Sequence, residues 1–341
     1  MDSNEKLYKF IHPDSNDELL SFTKTDLCKL FDLINFSDLE LRDKLNIDKF
    51  VTFGMEIESE KADVKKIEDS IKKLNIKKEW IVGTDISLDK GVEVKSPIMV
   101  DKEDTWKEVN YVCGAMKKDS SIKNNAGGHV HVGAQVLGDN LESWVNFIKL
   151  WGVYENIIFR FSSGEFLTHR PHIYRYAEPV AEYFLKRYNK LSSKEKTLYF
   201  LLHNFECQED RDFAVNLTNV AYNDPNTLKN RNTIEFRCPN GTLSPTVWQN
   251  NVNLFVKMLN YSKSSKYDSD TIKRRYKIIK IQKLGLSDYN EIYLNQMLEF
   301  CDLVFDNNID KIYFLKQYLK SFEVYNGRDD YVKTKRRIFM E

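Results

Sequence analysis

Residues 128–133 run Gly128-His129-Val130-His131-Val132-Gly133. Side chains on a β-strand alternate between its two faces with a period of two. Extended, this stretch puts both histidines on one face and both valines on the other. The chain has only six histidines, so two at this spacing raise the question of what that face is for. Taken alone, the stretch fits a half-solvated sheet with polar outer groups as well as a face that binds ions or protons.

Three other stretches repeat the pattern. In Phe53-Gly54-Met55-Glu56-Ile57-Glu58, one face takes Phe53, Met55 and Ile57 and the other takes Gly54, Glu56 and Glu58. In Gly91-Val92-Glu93-Val94, Glu93 opposes the valines. In Thr233-Ile234-Glu235-Phe236-Arg237, Ile234 and Phe236 oppose Glu235 and Arg237, and Cys238 falls with the apolar set. An ordinary solvated face would also carry Lys, Thr, Ser and Gln. Here the polar positions are almost all Glu or His, with one Arg. Clustered carboxylates raise one another's pKa unless a cation neutralises them, so the set predicts a bound metal. Carboxylate oxygens suit Mg2+ or Mn2+, and His-x-His with a carboxylate also admits Zn2+. Four or more carboxylates with one or two histidines exceed the needs of a single zinc. They fit about two or three Mg2+ ions holding a polyphosphate.

Working outward, the predicted strands are 51–59, 80–87, 91–97, 128–136 and 233–239. The predicted helices are 62–74, 103–118, 141–160, 178–188 and 246–262. One-sided alternation of this kind belongs to antiparallel or mixed sheets with one covered face, and the fold class is α+β. Residues 1–48 are expected to form a helical lead-in and 49–262 the catalytic-type domain. Residues 263–341, with Leu, Ile and Tyr at helical spacing, are expected to form a C-terminal helical region. Ser96-Pro97 is expected to end a strand and Gly241-Thr242 to turn. Gly127-Gly128 would let the backbone bend and approach a ligand, or make a plain turn.

Acidic and basic residues cancel, 51 against 51, which gives no reason to expect a nucleic acid or an anionic membrane as partner. The basic run Lys333-Thr334-Lys335-Arg336-Arg337 is local, as in a solvated end. Five scattered cysteines without a CxxC motif suit a reducing compartment. The N-terminal stretch is polar, and no apolar run approaches the roughly 20 residues of a membrane span. A cytoplasmic location is expected.

GMEIE (54–58), Asp85 followed by GVEVKSP (91–97), GGHVHVG (127–133) and NTIEFRCPNGTL (232–243) occur in this order. Together they resemble the amidoligase family, itself similar to the glutamine synthetase and glutamate–cysteine ligase superfamily. The resemblance covers about residues 50 to 260. It implies a curved, mainly antiparallel sheet forming a funnel, with helices on its outer face. It also implies ATP-dependent joining of a carboxylate to an amine through an acyl phosphate, with ATP and Mg2+ (or Mn2+) as cofactors. The family's metal-binding glutamates match Glu56, Glu58, Glu93 and Glu235, and His129 matches its metal-ligating histidine. His131 would line the substrate or phosphate region. Asp85 stands where a further acidic ligand is expected. Arg237 would contact the transferred phosphoryl group.

Further candidates lie in FLTHRPHIYRY (166–176) and RDFAVNLTN (211–219). Arg170 and Arg175 could pair with phosphate or a substrate carboxylate by bidentate contacts, or form a solvated basic loop. Arg211 and Asn216 precede the Glu235 strand, where the family carries similar asparagine-containing segments, and both are expected at the cofactor site. There is no GxxxxGK[ST], GxGxxG, GxSxG or HExxH, so nucleotide binding would rest on metal and sheet. The alternatives are a phosphotransferase of the same superfold, a zinc hydrolase built on His-x-His, and a binding protein that keeps the fold. The expected substrates are small molecules, amino acids or peptides supplying the carboxylate and the amine, with the oligomeric state open.

Overall fold

Glu56, His129 and Glu235 are far apart in the chain, and a single sheet brings them together. The structure, a computed structural model, describes residues 40–319 except 75, 77, 123–124, 167–169, 172, 182, 184–211, 221–231 and 283–290. The strands are β1 (Phe53–Ser59), β2 (Ile81–Asp85), β3 (Gly91–Lys95), β4 (Gly128–Gly133), β5 (Val215–Asn216) and β6 (Thr233–Phe236). They form one open sheet in the order β2-β3-β1-β4-β6-β5, and every neighbouring pair is antiparallel. Five were anticipated, each a little shorter than expected. β4 stops at Gly133 because Ala134–Val136 tighten into a 3-10 turn. β5 is two residues long, too short to show alternation.

Residues directly opposite each other in an antiparallel ladder share a face. The register pairs Glu58 with Glu93, Glu56 with His129, His131 with Glu235, and Asn216 with Glu235. The polar faces of the separate strands are therefore in phase. A one-residue slip in any ladder would turn that strand's glutamate or histidine into the core.

The other face is apolar. Ile57, Val92, Val94, Val130, Val132, Ile234 and Phe236 are fully buried. The longer helices of the described fold are α1 (Val64–Lys72), α2 (Glu103–Asp119), α3 (Leu141–Ser162), α4 (Pro245–Lys263), α5 (Ser269–Gln282), α6 (Glu291–Val304) and α7 (Asn308–Leu319), with a single helical turn at Ile173–Tyr176. Phe53 stacks on Trp106 of α2 at 5.3 Å. Phe236 stacks on Phe255 of α4 at 4.1 Å and lies 5.7 Å from Trp151 of α3. Each such buried side chain contributes roughly 1.5–3 kcal/mol, so the helices hold the sheet by one face and leave the other for chemistry.

Local signals account for the helix starts. The Asp63 side chain accepts from Lys66 N, the Asn140 side chain accepts from Glu142 N, and Pro245 occupies the first turn of α4. The predicted helix at 178–188 lies mostly outside the described residues, as do residues 1–39 and 320–341. Leu45 and Ile47 are part of the core. Asp101 accepts from their backbone N–H groups and from Trp106 Nε1. At the other end, Phe300 of α6 lies 5.0 Å from Tyr154 and Phe314 of α7 5.0 Å from Phe161, so the helical region packs on α3. Among the described residues no helix is long and apolar enough to cross a membrane.

Candidate active site

His129 sits at the centre of the polar face and is almost fully buried. Its Nδ1 lies 2.7 Å from Glu56 Oε2 and 3.4 Å from Glu235 Oε1, and its Nε2 lies 3.5 Å from Glu58 Oε1. Glu58 Oε2 accepts from Gly127 N at 2.6 Å. Glu235 is held on both oxygens: Arg237 Nη1 donates to Oε1 at 2.6 Å and Asn216 Nδ2 to Oε2 at 3.0 Å. Asn216 Oδ1 in turn accepts from Thr218 N. His131 Nε2 lies 3.4 Å from Glu56 Oε1, yet it is buried and makes no hydrogen bond.

Two sets of three ligand atoms emerge: Glu56, His129 and Glu235, and Glu58, Glu93 and His129, with the atoms of each set within 4.8 Å of one another. Oxygen-rich donors with one imidazole nitrogen suit Mg2+ or Mn2+. The donor set therefore fits the expected divalent cations.

The charge balance differs from the sequence expectation in an instructive way. Lys95, two residues after Glu93 and so on the same face, adds a cation to the Glu and His positions. Its Nζ lies 2.8 Å from Glu93 and 3.3 Å from Glu56. Burial acts to lower the Lys95 pKa, but the two carboxylates outweigh it and raise it. The mutual upward shift expected of clustered glutamates holds for Glu93, pushed up by burial and by Glu56. Glu56 goes the other way. Burial acts to raise it, but His129 and His131 hold it well below the ordinary carboxylate range. Lys95 thus supplies part of the positive charge that the clustered carboxylates call for.

Glu56, Glu58, Glu93, His129, Arg170 and Arg237 line a polar cleft of about 540 Å3 that also takes in Asp85. Asp85 stands at the end of β2 and accepts from Ser87 N and Oγ, so it shapes a turn at the rim and joins neither set of three. Arg170 is buried. Its guanidinium donates to the carbonyls of Pro239 (2.7 Å) and Arg237 (3.3 Å). A Cβ on Gly127 would fall 2.0 Å from Arg170 Nη1, so that glycine admits an arginine rather than a ligand. Arg175 is exposed with its guanidinium 5.7 Å from the Tyr176 ring and does not line this cleft. Arg211 lies outside the described residues. Arg237 also donates from Nε to Tyr176 O and has Nη2 3.8 Å from Asp212. Cys238 is buried against Ser162, on the apolar side as alternation predicts.

Comparison with known families adds one finding. A family model described as "Putative amidoligase enzyme" matches residues 44–259, more than half of the chain. The chain belongs to this amidoligase family. The match takes in every strand of the sheet and each of the four glutamates. Among curated proteins no match was found.

Proposed function

We propose that this amidoligase joins a carboxylate to an amine, with ATP as phosphoryl donor, through an acyl phosphate and with release of ADP and phosphate. The observation that carries the reading is the in-phase set of Glu56, Glu58, Glu93 and Glu235 around His129, bordered by Arg237. The funnel shape implied by the resemblance is part of the same proposal.

A free carboxylate resists attack by an amine, and phosphorylation turns one of its oxygens into a leaving group. Bound Mg2+ or Mn2+ would supply neutralisation of the β- and γ-phosphate oxygens. Glu56, His129 and Glu235 would hold one cation, and Glu58 and Glu93 would supply carboxylate oxygens to another, since a neutral imidazole has one free lone pair and serves one cation. Glu56, held below the ordinary carboxylate range by its two histidines, stays ionised at neutral pH. Asn216, Arg237 and the Gly127 N–H fix the carboxylates that they touch, which removes reorganisation from the reacting state. Arg237 would also offset charge on the transferred phosphoryl oxygens. Arg170 braces the end of β6 by holding two backbone carbonyls there. His131 would face the substrate side.

The test is nucleotide turnover with Mg2+, ATP and pooled amino acids, polyamines and small carboxylic acids. ADP and phosphate should form only with the pool, alongside a product lighter by one water than its two components. Glu235→Gln should lower the rate by about a hundredfold or more, on the order of 3 kcal/mol in the barrier, with the fold intact by circular dichroism. A stable phosphorylated product with no amide would instead make the protein a phosphotransferase, and turnover without nucleotide would make it a hydrolase.

A further inference from the structure

Glu155 is a buried acid on α3 that does not line the polar cleft. Its Oε1 accepts from Trp151 Nε1 at 2.8 Å, from Val180 N at 2.7 Å and from Ala181 N at 3.2 Å, and its Oε2 accepts from Ala181 N at 3.2 Å. The donors are an indole and two backbone groups, all neutral. A buried carboxylate is costly unless hydrogen bonds offset the loss of water. Residues 180 and 181 are therefore held against α3 by a group that depends on them in turn.

The stretch so held runs to Arg237 by two routes. Glu178 N donates to Asp212 O at 2.6 Å, Ala214 N to Glu178 O at 2.9 Å, and Arg237 N to Ala214 O at 2.9 Å. At the start of the stretch, Tyr176 O accepts from Arg237 Nε at 3.3 Å. Ala177 and Val180 between these points are fully buried, which leaves the backbone from 176 to 181 little room to shift. A third link is aromatic: Trp151, whose indole donates to Glu155, stacks on Phe236, the residue before Arg237, at 5.7 Å. The five donors of a guanidinium lie in one rigid plane. A carbonyl fixed at Nε therefore sets where the remaining donors point, including the Nη1 that meets Glu235 at 2.6 Å.

We propose that Glu155 is a positioning residue for Arg237. By holding residues 180 and 181 from behind the sheet, it fixes the Tyr176 carbonyl that orients the guanidinium, and it touches neither substrate nor cofactor itself. The consequence for nucleotide rests on the ligase reading of Arg237, whereas the positioning rests on the hydrogen bonds.

Nitrogen-15 NMR of the full chain reads the Arg237 Nε–H directly, and Arg237→Lys identifies its signal by removing it. Glu155→Gln keeps the side-chain volume and replaces one acceptor oxygen by a donor. In that variant the Arg237 Nε–H signal should shift and exchange with water about tenfold faster, while the backbone signals of β1 and β4 stay in place. Ala181→Pro removes one donor, leaves Glu155 in place and should move the same signal, which serves if the glutamine variant does not fold. Calorimetric titration reads the consequence. Glu155→Gln should weaken Mg-ATP about tenfold, leave Mg-ADP, which lacks the γ-phosphoryl group, nearly unchanged, and add nothing in an Arg237→Lys background. An Arg237 signal that stays in place, or that moves only along with those of β1 and β4, would overturn the assignment. So would equal weakening of both nucleotides, or an effect that persists without Arg237. If the signal moves as expected and Mg-ATP does not bind the unaltered protein, the ligase reading falls and the positioning role stands.

Discussion

Lys95 is the residue that most changes the picture of the site. Its ammonium group lies between Glu93 and Glu56, where a divalent cation would also draw on those carboxylates. The two should compete. Lys95→Met should lower thermal stability in chelator, because Glu56 and Glu93 lose a counter-charge. It should also bind Mg2+ about tenfold tighter, a gain of about 1.4 kcal/mol, and so show a larger Mg2+-dependent rise in Tm than the unaltered protein. An equal rise in both would mean that lysine and cation do not share ligands. Glu56, Glu58, Glu93, Glu235 and His129 were legible from alternation alone, because a period of two fixes which side chains share a face. Lys95 obeys the same rule, one residue beyond Val94, but a lysine at a strand end has the look of an ordinary solvated charge. The bracing role of Arg170 was not legible: an arginine that holds carbonyls looks the same in sequence as one that awaits a phosphate.

At the scale of elements, α3 carries a buried acid that does no chemistry in the proposed site. Glu155 accepts from Trp151 Nε1 on its own helix and from the backbone N–H groups of Val180 and Ala181. It thereby ties α3 to the segment that leads, through the Glu178–Phe213 bridge, toward β5. Burial raises its pKa from the ordinary 4.5 to about 7, against the opposing effect of these hydrogen bonds. The folded chain then keeps a proton that the unfolded chain releases. Stability is full below about pH 4.5 and falls as pH rises toward about 7, by about 3 kcal/mol. Urea unfolding between pH 5 and 8 should record that decline, and Glu155→Gln should flatten it. A decline of the same size in the variant would assign it to other groups. Long elements such as α3 and α4 were legible because their apolar stripes run for several turns. β5 was not, since two residues carry no period and its pairing with β6 is set by tertiary contact.

At the scale of the whole molecule, Asp310 joins parts that the sequence keeps far apart. On α7 and fully buried, it accepts from Arg42 Nη1 at 2.6 Å, Asn253 Nδ2 of α4 at 2.8 Å and Asn307 Nδ2 at 2.6 Å, with Lys257 Nζ 3.4 Å away. Asp310→Ala would leave a buried guanidinium without its carboxylate and should cost about 3–5 kcal/mol in chemical unfolding. The chain order of strands and helices made the α+β class legible, whereas the sheet order β2-β3-β1-β4-β6-β5 was not, because no local signal says which strand pairs with which. That order has a consequence for how the molecule matures. Glu56 meets His129 across 73 residues of chain, and Glu235 arrives on β6 only after a further long segment. Contacts so distant in sequence form late and slowly, since the loop-closure entropy must be met first. A nascent chain that has emerged only as far as β4 carries three of the four glutamates and both histidines, and still lacks the set completed by Glu235. The capacity to chelate through that set is therefore a report of finished folding, acquired with the sheet and not before it.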